Sequence, residues 1–415
     1  MKKGILLFCL IVQTAFSKSV SLDNLIDELN RTSYENEIYR VKEKRDLERG
    51  EVYKLDSLNG VNVEVENEYR DEDDVYKTKG RVKYADFYVD AEKWKDDESG
   101  VSYGVEKNIK DLIFSKNDSN LEKLKISKKV ELIEFENNLQ LQTVELVNLY
   151  RDYKEVQLEI SIRENALKIL SGEKNILQKS YDMGATSKID LDSLTYSYKN
   201  IELEIGNLKK EILSIRKQFF YSFKIDLKDK KLENLNASTL NLDRYIEKIG
   251  ERDTERVRLE KEVIEKNIKY LDYNNKMPEL YLGVERDEKA NENRVFFKVS
   301  KDIFYKDLEL MDEKSSLAEK EIKLSQKTLD VKSERLKYER ELYSLVKNLE
   351  VTSNDRALEE SKYNIKKLEN KLGKIRYLDV MESFNDYLEL KIKEEKSRNK
   401  LNAFVYELKI RGEIK

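Results

Sequence analysis

The chain has 415 residues, with 79 Lys and Arg against 83 Asp and Glu, and it contains no His, one Pro and one Cys. The lack of His excludes imidazole-activated nucleophiles, His general bases and His-ligated metals. The net charge of −4 gives no indication of a basic, nucleic-acid-binding surface. Because 39% of the residues are charged and only 13 are Gly, the composition is typical of long solvated helices. We therefore expect an elongated protein without a cofactor or metal.

The N-terminal segment has the pattern of a cleavable secretory signal. Lys2 and Lys3 precede an apolar stretch at residues 4–12, and Ala15-Phe16-Ser17 fits the small-x-small cleavage site. The only Cys, Cys9, lies in this stretch, so the exported chain would have no disulfide. We predict a signal peptide over residues 1–17. No later window approaches the roughly 18 apolar residues that a membrane-spanning helix needs.

Two heptad patterns predict a long antiparallel helical hairpin. Apolar residues spaced alternately by three and four run through residues 132–160, with a polar interruption at Gln142, and again through residues 191–215. Between the two patterns, Met183-Gly184-Ala185 supplies a helix-ending Gly, and Thr186-Ser187 supplies a helix-start signal. We expect the first helix to extend from about residue 115 to 181 and to measure on the order of 100 Å.

The second half of the sequence repeats the first at an offset close to 190. Gly184 corresponds to Gly373, and Ile189-Asp190-Leu191 corresponds to Leu378-Asp379-Val380. A spacing of seven predicts the seam of the second long helix at Ile322, Leu329, Leu336 and Tyr343. We expect a first repeat over residues 18–222, a connector over residues 223–241 and a second repeat over residues 242–415.

Each half also carries segments of alternating apolar and polar residues that predict β-strands. They lie at residues 61–65, 101–105, 280–284 and 295–299. A further alternating run at residues 85–91 raises the count in the first half to three, whereas helices on one side of a membrane require an even number. Either one run is not a membrane strand, or a fourth strand lies near the acidic stretch at residues 71–74. We expect the run at residues 85–91 to be a hairpin arm outside the membrane barrel.

The order of these elements resembles the TolC-like family of outer-membrane efflux and type I secretion channels. Two tip motifs carry the resemblance, Tyr181-Asp182-Met183-Gly184-Ala185 before Ile189-Asp190-Leu191, and Lys371-Leu372-Gly373-Lys374 before Leu378-Asp379-Val380-Met381. The only Pro, Pro278, stands just before a predicted strand, as is usual in that family. The resemblance covers essentially the whole chain after residue 17.

The resemblance implies an α+β, mostly α fold with a duplicated unit of a β-hairpin and long antiparallel coiled-coil helices. A homotrimer would form one β-barrel in the cell outer membrane, with four strands from each chain, and an α-helical tunnel in the periplasm. Such a channel is a passive conduit with no active site. It is opened at its periplasmic tip by a periplasmic adaptor (membrane fusion) protein and an inner-membrane transporter. A physical argument also favours an oligomer, because the strands of a single chain would leave unpaired edges in lipid.

The family resemblance also implies that the tips bind the adaptor. The implied tip residues are Met183, Gly184, Ala185, Leu372, Gly373 and Lys374. The simpler interpretation is that each Gly is only a turn residue that tolerates a positive φ.

Acidic residues near the tips are the candidate gate. Asp379 and Glu382, three residues apart on one helix face, stand where the family carries pore-facing acids that form a constriction ring for cations. The alternative is that both acids merely begin a helix, where acids are favoured. Asp190 matches a family position that helps to lock the closed state through an Arg. Ile375 occupies that Arg position here, which leaves Arg376 or Lys374 as a replacement.

Two other functions remain open at this point. An exported coiled-coil periplasmic adaptor or envelope scaffold without a pore would carry compact β domains around one hairpin, so the duplication favours the channel. A hydrolase with paired carboxylates is compatible with the composition, but no alternating α/β pattern supports it, and we expect no enzyme. The acidic run at residues 71–74 is interpreted as a solvated loop, with binding of divalent cations or lipid headgroups as the alternative.

Overall fold

The computed structural model describes residues 19–55, 60–70, 75–94, 99–228, 230–237, 242–302 and 306–413. The predicted signal peptide at residues 1–17 and the acidic run at residues 71–74 lie outside the described residues, as does part of the expected connector. The chain divides into two compact units. As far as the chain is described, the tip unit comprises residues 19–36, 138–249 and 333–413, and the sheet unit comprises Glu37–Asn137 and Gly250–Lys332.

The elements follow one another in the order helices, strands and long helices, twice over. The first half contains β1 (Ser19–Val20), α1 (Leu22–Thr32), α2 (Tyr34–Lys54), β2 (Val61–Arg70), β3 (Val75–Tyr84), β4 (Phe87–Trp94), β5 (Ser99–Asn108), α3 (Ile109–Ile113), α4 (Lys116–Asp182) and α5 (Lys188–Phe223). The second half contains β6 (Lys231–Leu232), α6 (Leu242–Lys248), α7 (Glu251–Lys276), β7 (Glu279–Asp287), β8 (Glu292–Ser300), α8 (Leu308–Lys371) and α9 (Tyr377–Gly412).

The core of the tip unit is formed by the heptad residues of α4 and α5. Leu146 and Tyr153 of α4 pack in one buried cluster with Leu194 and Ile201 of α5. Leucines of α1 and Phe384 of α9 complete the same cluster. The predicted seams of the first hairpin are therefore confirmed in this unit. A smaller cluster joins α6 to the C-terminal part of α9.

The expected seam of α8 is not buried within the described chain. Ile322 is 68% exposed, Leu329 65%, Leu336 52% and Tyr343 74%. The spacing of seven correctly places these residues on one helix face, but no described element of the same chain covers that face. The coiled-coil seam of α8 therefore stays a prediction, because periodicity shows which residues share a face and not what lies against it.

The sheet unit contains one antiparallel sheet of order β2-β3-β4-β5-β7-β8 as far as the chain is described. The strands predicted at residues 61–65, 101–105, 280–284 and 295–299 are confirmed within β2, β5, β7 and β8. The sheet has six strands in this part of the chain, whereas the family resemblance implied four.

Most of the run at residues 85–91 belongs to β4, which pairs with β3 on one side and β5 on the other. It is therefore an inner strand of the sheet, and its expected place outside a membrane barrel stays a prediction. The fourth strand of the first half is β3, which begins directly after the acidic stretch at residues 71–74. Thr78 and Gly80 occupy apolar-face positions of β3, so its alternation is hidden in the sequence. The even number of strands comes from this fourth strand.

Candidate functional site: the two-faced sheet and the helix tips

One face of the sheet is apolar and exposed along its whole width. The register aligns one apolar residue from each strand in a single row. The row consists of Val61, Tyr84, Phe87, Val105, Val284 and Val295, whose exposed fractions are 59%, 46%, 64%, 39%, 53% and 77%. In the next row on the same face, Val63, Val82, Val89 and Tyr103 are followed by the polar residues Arg286 and Asn293. A contiguous apolar surface of this kind requires a partner other than water.

The opposite face of the sheet is charged. Glu64 of β2 lies opposite Arg81 of β3, and Arg81 lies opposite Asp90 of β4. The guanidinium of Arg81 donates two hydrogen bonds of 2.7 Å to the Asp90 carboxylate. In the neighbouring rows, Lys77 forms an ion pair of 2.8 Å with Glu92. On this face, β2 thus carries acidic residues, β3 carries basic residues and β4 carries acidic residues.

Both helix tips contain the same turn. In the first, the N–H of Ala185 donates to the Ser180 carbonyl and the N–H of Gly184 donates to the Tyr181 carbonyl. In the second, Lys374 and Gly373 make the equivalent bonds to Glu369 and Asn370, which is the Schellman pattern of a helix end. Gly184 and Gly373 have φ angles of 69° and 70°.

The tips also expose apolar side chains beside each Gly. Met183 is 76% exposed and Leu372 is 70% exposed, and Ala185 and Lys374 are exposed as well. The turn role of each Gly follows from its φ. The binding of an adaptor at these residues stays a prediction.

Asp190 and Asp379 occupy equivalent positions, each the third residue of its helix. The Ser187 hydroxyl donates to the Asp190 carboxylate at 2.6 Å, and the backbone N–H of Arg376 donates to the Asp379 carboxylate at 3.2 Å. Both acids therefore stabilise a helix start, which is the simpler of the two interpretations. A capping contact uses only part of a carboxylate, so it leaves the constriction role open.

The remaining gate candidates lie at the start of α9. Glu382 is exposed one turn after Asp379. The structure places a guanidinium nitrogen of Arg376, the residue just before α9, 3.9 Å from the carboxylate of Asp379. The lock between Arg376 and Asp190 stays a prediction.

A buried ion network in the tip unit was missed by the sequence analysis. The Glu159 side chain of α4 is only 10% exposed and accepts hydrogen bonds from Lys396 of α9 at 2.7 Å and from Arg163 at 2.8 Å. Arg163 also pairs with Glu204 of α5. Burial acts to raise the pKa of Glu159, but the hydrogen bonds from Lys396 and Arg163 outweigh it and hold the pKa below its ordinary value. The network joins three helices of one unit.

Neither a bilayer-crossing helix nor a metal-binding cluster of side chains is found in the described segments of the chain.

No protein-family model matches the sequence, and no curated protein matches it. Solved structures do match the fold. The outer membrane protein VceC from Vibrio cholerae is similar over 94% of this chain and 95% of its own, with a TM-score of 0.67 and 11% identity. The chain has the fold of the TolC-like outer-membrane channels.

Two further channels with this fold extend the comparison. The CmeC outer membrane channel of Campylobacter jejuni has a TM-score of 0.64 with 10% identity, over 94% of this chain and 85% of that one. The MtrE outer membrane channel of Neisseria gonorrhoeae, in its open state, has a TM-score of 0.63 with 10% identity, over 94% and 88%. The resemblance to the TolC-like family is confirmed at the level of the fold.

Proposed function

We propose that three copies of this chain form the outer-membrane channel of a tripartite efflux or type I secretion system. The observation that carries this proposal is the sheet, which presents an aligned, exposed apolar face on one side and a charged face on the other. The shared fold with the CmeC and MtrE outer membrane channels supports it. The channel is a passive conduit and catalyses no reaction.

The two faces of the sheet suit a membrane wall. In a transmembrane barrel, apolar side chains face lipid and polar side chains face the aqueous lumen, alternating along each strand. The strands of this sheet are 8 to 10 residues long, close to the roughly 9 to 11 residues that cross a bilayer as a tilted strand. The row from Val61 to Val295 would contact lipid, and Glu64, Arg81 and Asp90 would line the pore.

Assembly into a homotrimer is supported by two surfaces that one chain leaves open. Lipid does not tolerate an unpaired strand edge, and a sheet that ends at β2 and β8 has two. The exposed stripe of α8 is a coiled-coil seam that needs a partner helix. It includes Leu336, Tyr343, Leu358 and Ile365. A neighbouring copy satisfies both requirements.

The tips are the proposed gate and docking site. Three copies would bring Asp379 and Glu382 together around a threefold axis as a ring of carboxylates that favours cations. A periplasmic adaptor would dock on the exposed apolar residues beside Gly184 and Gly373, and this engagement, driven by the inner-membrane transporter, would separate the helix pairs. Arg376 is the proposed partner of Asp190 in the closed state.

In this proposal the chain is exported by an N-terminal signal peptide and is organised as two repeats. Residues 1–17 act as a signal peptide, and residues 18–222 and 242–415 are two repeats joined by a connector at residues 223–241. The mature protein lies in the cell outer membrane and extends into the periplasm.

Conductance of single channels in a planar bilayer tests the proposal. The purified protein should give cation-selective currents, and a trivalent cation added on the tip side should block them. The variant Asp379→Ala with Glu382→Ala should conduct but lose at least tenfold in sensitivity to the block. The pair Glu389→Ala with Glu395→Ala, farther along the same helix, is the matched control. Folded protein that gives no current would support the scaffold without a pore.

A further inference from the structure

The hairpin of β2 and β3 continues the two faces of the sheet without a break. β2 and β3 each have 10 residues, as does β5. Val63 of β2 lies on the apolar face in the same row as Val82 and Val89. Glu64 lies on the charged face in the row of Arg81 and Asp90. A hairpin lying outside a membrane wall has no physical need to match both faces of the wall in this way.

The two edges of the sheet match each other in direction and in side-chain parity. Every neighbouring pair in the order from β2 to β8 is antiparallel, so β8 runs opposite to β2. Even-numbered residues lie on the charged face in both edges, and odd-numbered valines lie on the apolar face in both. Placing β8 of one copy beside β2 of another therefore gives a regular antiparallel pair with both faces preserved.

The charges at the two edges are also complementary. β2 presents Glu64, Glu66 and Glu68 on the charged face. On the same face, β8 presents Arg294 and Lys298 with a single acid, Glu292, at its start. Opposite charges on adjacent strands stabilise pairing, and like charges directly opposite each other oppose it. Two β2 edges would bring acids together, so the charge pattern favours β2 against β8 and disfavours β2 against β2.

We propose that β2 of each copy pairs with β8 of the next copy, so that the β2–β3 hairpin is part of the barrel wall. This inference rests on the proposed channel function. Three copies with six strands each then close an eighteen-stranded barrel. Because barrel diameter grows roughly linearly with strand number, the pore in the membrane is about half again as wide as one built from four strands per copy.

The competing arrangement leaves the hairpin outside the wall. β4 would then become the edge of the wall, and β8 of the neighbouring copy would lie beside Asp90 and Glu92 in place of Glu64 and Glu66. The two arrangements bring different residues next to Lys298 and can be separated by cross-linking.

Paired cysteines in a Cys9→Ala background test the inference. Lys298→Cys is combined with Glu64→Cys, Glu66→Cys or Glu68→Cys in turn, because the series samples the neighbouring registers of the pair. The matched control is Lys298→Cys with Asp90→Cys, which places a cysteine on the same face of β4. After mild oxidation of the purified oligomer, at least one β2 pair should give disulfide-linked dimers and trimers, at least tenfold more than the control.

Cross-linking in the control alone, or in none of the pairs, would overturn the inference. Conductance of the Cys9→Ala parent separates this failure from failure of the channel itself, since a conducting parent without β2–β8 links removes only the eighteen-stranded wall. A strand count by electron microscopy of the parent in lipid nanodiscs gives an independent readout. Eighteen strands are expected, and twelve would overturn the inference even if a cysteine variant failed to fold.

Discussion

The ring of Tyr88 on β4 lies over Gly104 on β5, and its hydroxyl donates a hydrogen bond of 2.7 Å to Glu285 on β7. A Cβ added at Gly104 would clash with the Val284 carbonyl oxygen and lie 2.9 Å from the Tyr88 hydroxyl. The lack of a side chain at Gly104 therefore permits both the contact of Tyr88 and the close approach of β5 to β7, which joins the strands of the two halves.

Replacing Gly104 by Ala should destabilise the sheet by about 1–3 kcal/mol, because a backbone carbonyl has little freedom to move away. The temperature at which the detergent-resistant folded form is lost checks this expectation. Gly80→Ala is the control, since an added Cβ there meets nothing within 4 Å. Equal losses at Gly80 and Gly104 would contradict the account.

The turns at the helix tips depend on backbone conformation and not on space. Nothing lies within 4 Å of a Cβ added at Gly184 or Gly373, but both have positive φ. Gly184→Ala and Gly373→Ala should each cost about 1–2 kcal/mol in the free energy of unfolding, which is the cost of a left-handed conformation for an L-residue.

Gly206→Ala should have the opposite effect on stability from the two substitutions at the tips. Gly206 lies inside α5 with open space around it, so Ala should stabilise the helix by roughly 0.5–1 kcal/mol. Denaturant unfolding of all three variants distinguishes the two effects. Stabilisation by Ala at a tip would show that the positive φ is not required.

Two glutamates one turn apart on α4 should respond to pH in opposite ways. The pKa of Glu159 is lowered, because the hydrogen bonds from Lys396 and Arg163 outweigh its burial. Its contribution to stability is present above its ordinary pKa of 4.5 and is lost as the pH falls through the lower folded pKa. Burial raises the pKa of Glu155, so its ionised form opposes folding at neutral pH, and this cost disappears as the pH falls through the raised pKa.

Glu159→Gln should therefore lower the free energy of unfolding at pH 7 by about 1–2 kcal/mol, a value reduced for the partial exposure of Lys396. The loss should shrink below pH 4.5. Glu155→Gln should leave stability unchanged or increase it at pH 7. Thermal unfolding followed by circular dichroism between pH 3 and 7 measures both variants. A larger loss of unfolding free energy in Glu155→Gln than in Glu159→Gln would contradict the opposite pKa shifts of the two glutamates.

The exposed stripe of α8 should control assembly and not folding. Leu336→Glu with Tyr343→Glu removes no buried contact within the described chain, since both side chains are more than half exposed. The variant should keep its helix content but lose the trimer, as measured by light scattering in detergent. Lys337→Glu with Ser344→Glu, one residue farther along the same exposed helix, should remain trimeric. Equal masses for the two variants would contradict a helix seam between copies.

The elements that the sequence predicted are those whose signals are local. The seam through Leu194 and Ile201 is visible because helix periodicity selects the buried face, and the turns follow from Gly184 and Gly373 in equivalent motifs. β3 was missed because Thr78 and Gly80 interrupt its apolar alternation. Its position becomes visible only through pairing with β2 and β4.

The candidate site was predicted in part for the same reason. The positions of Asp190 and Asp379 at helix starts follow from the Gly turns a few residues before them. The Glu159 network was missed because a chain with 39% charged residues offers many equivalent pairs, and only tertiary packing brings Lys396 of α9 to α4. Likewise, the heptads of α8 did not reveal that their apolar face is left exposed within the described chain.

Accessibility of the two faces of β5 to a water-soluble thiol reagent tests the central claim most directly. Single cysteines replace Val101 and Val105 on the apolar face and Ser102 on the charged face, in a Cys9→Ala background reconstituted in lipid vesicles. A channel wall predicts that Ser102→Cys reacts with a membrane-impermeant maleimide from the lumen, while Val101→Cys and Val105→Cys react only after denaturation. Equal labelling at residues 101 and 102 in intact vesicles would contradict a sheet that separates lipid from water.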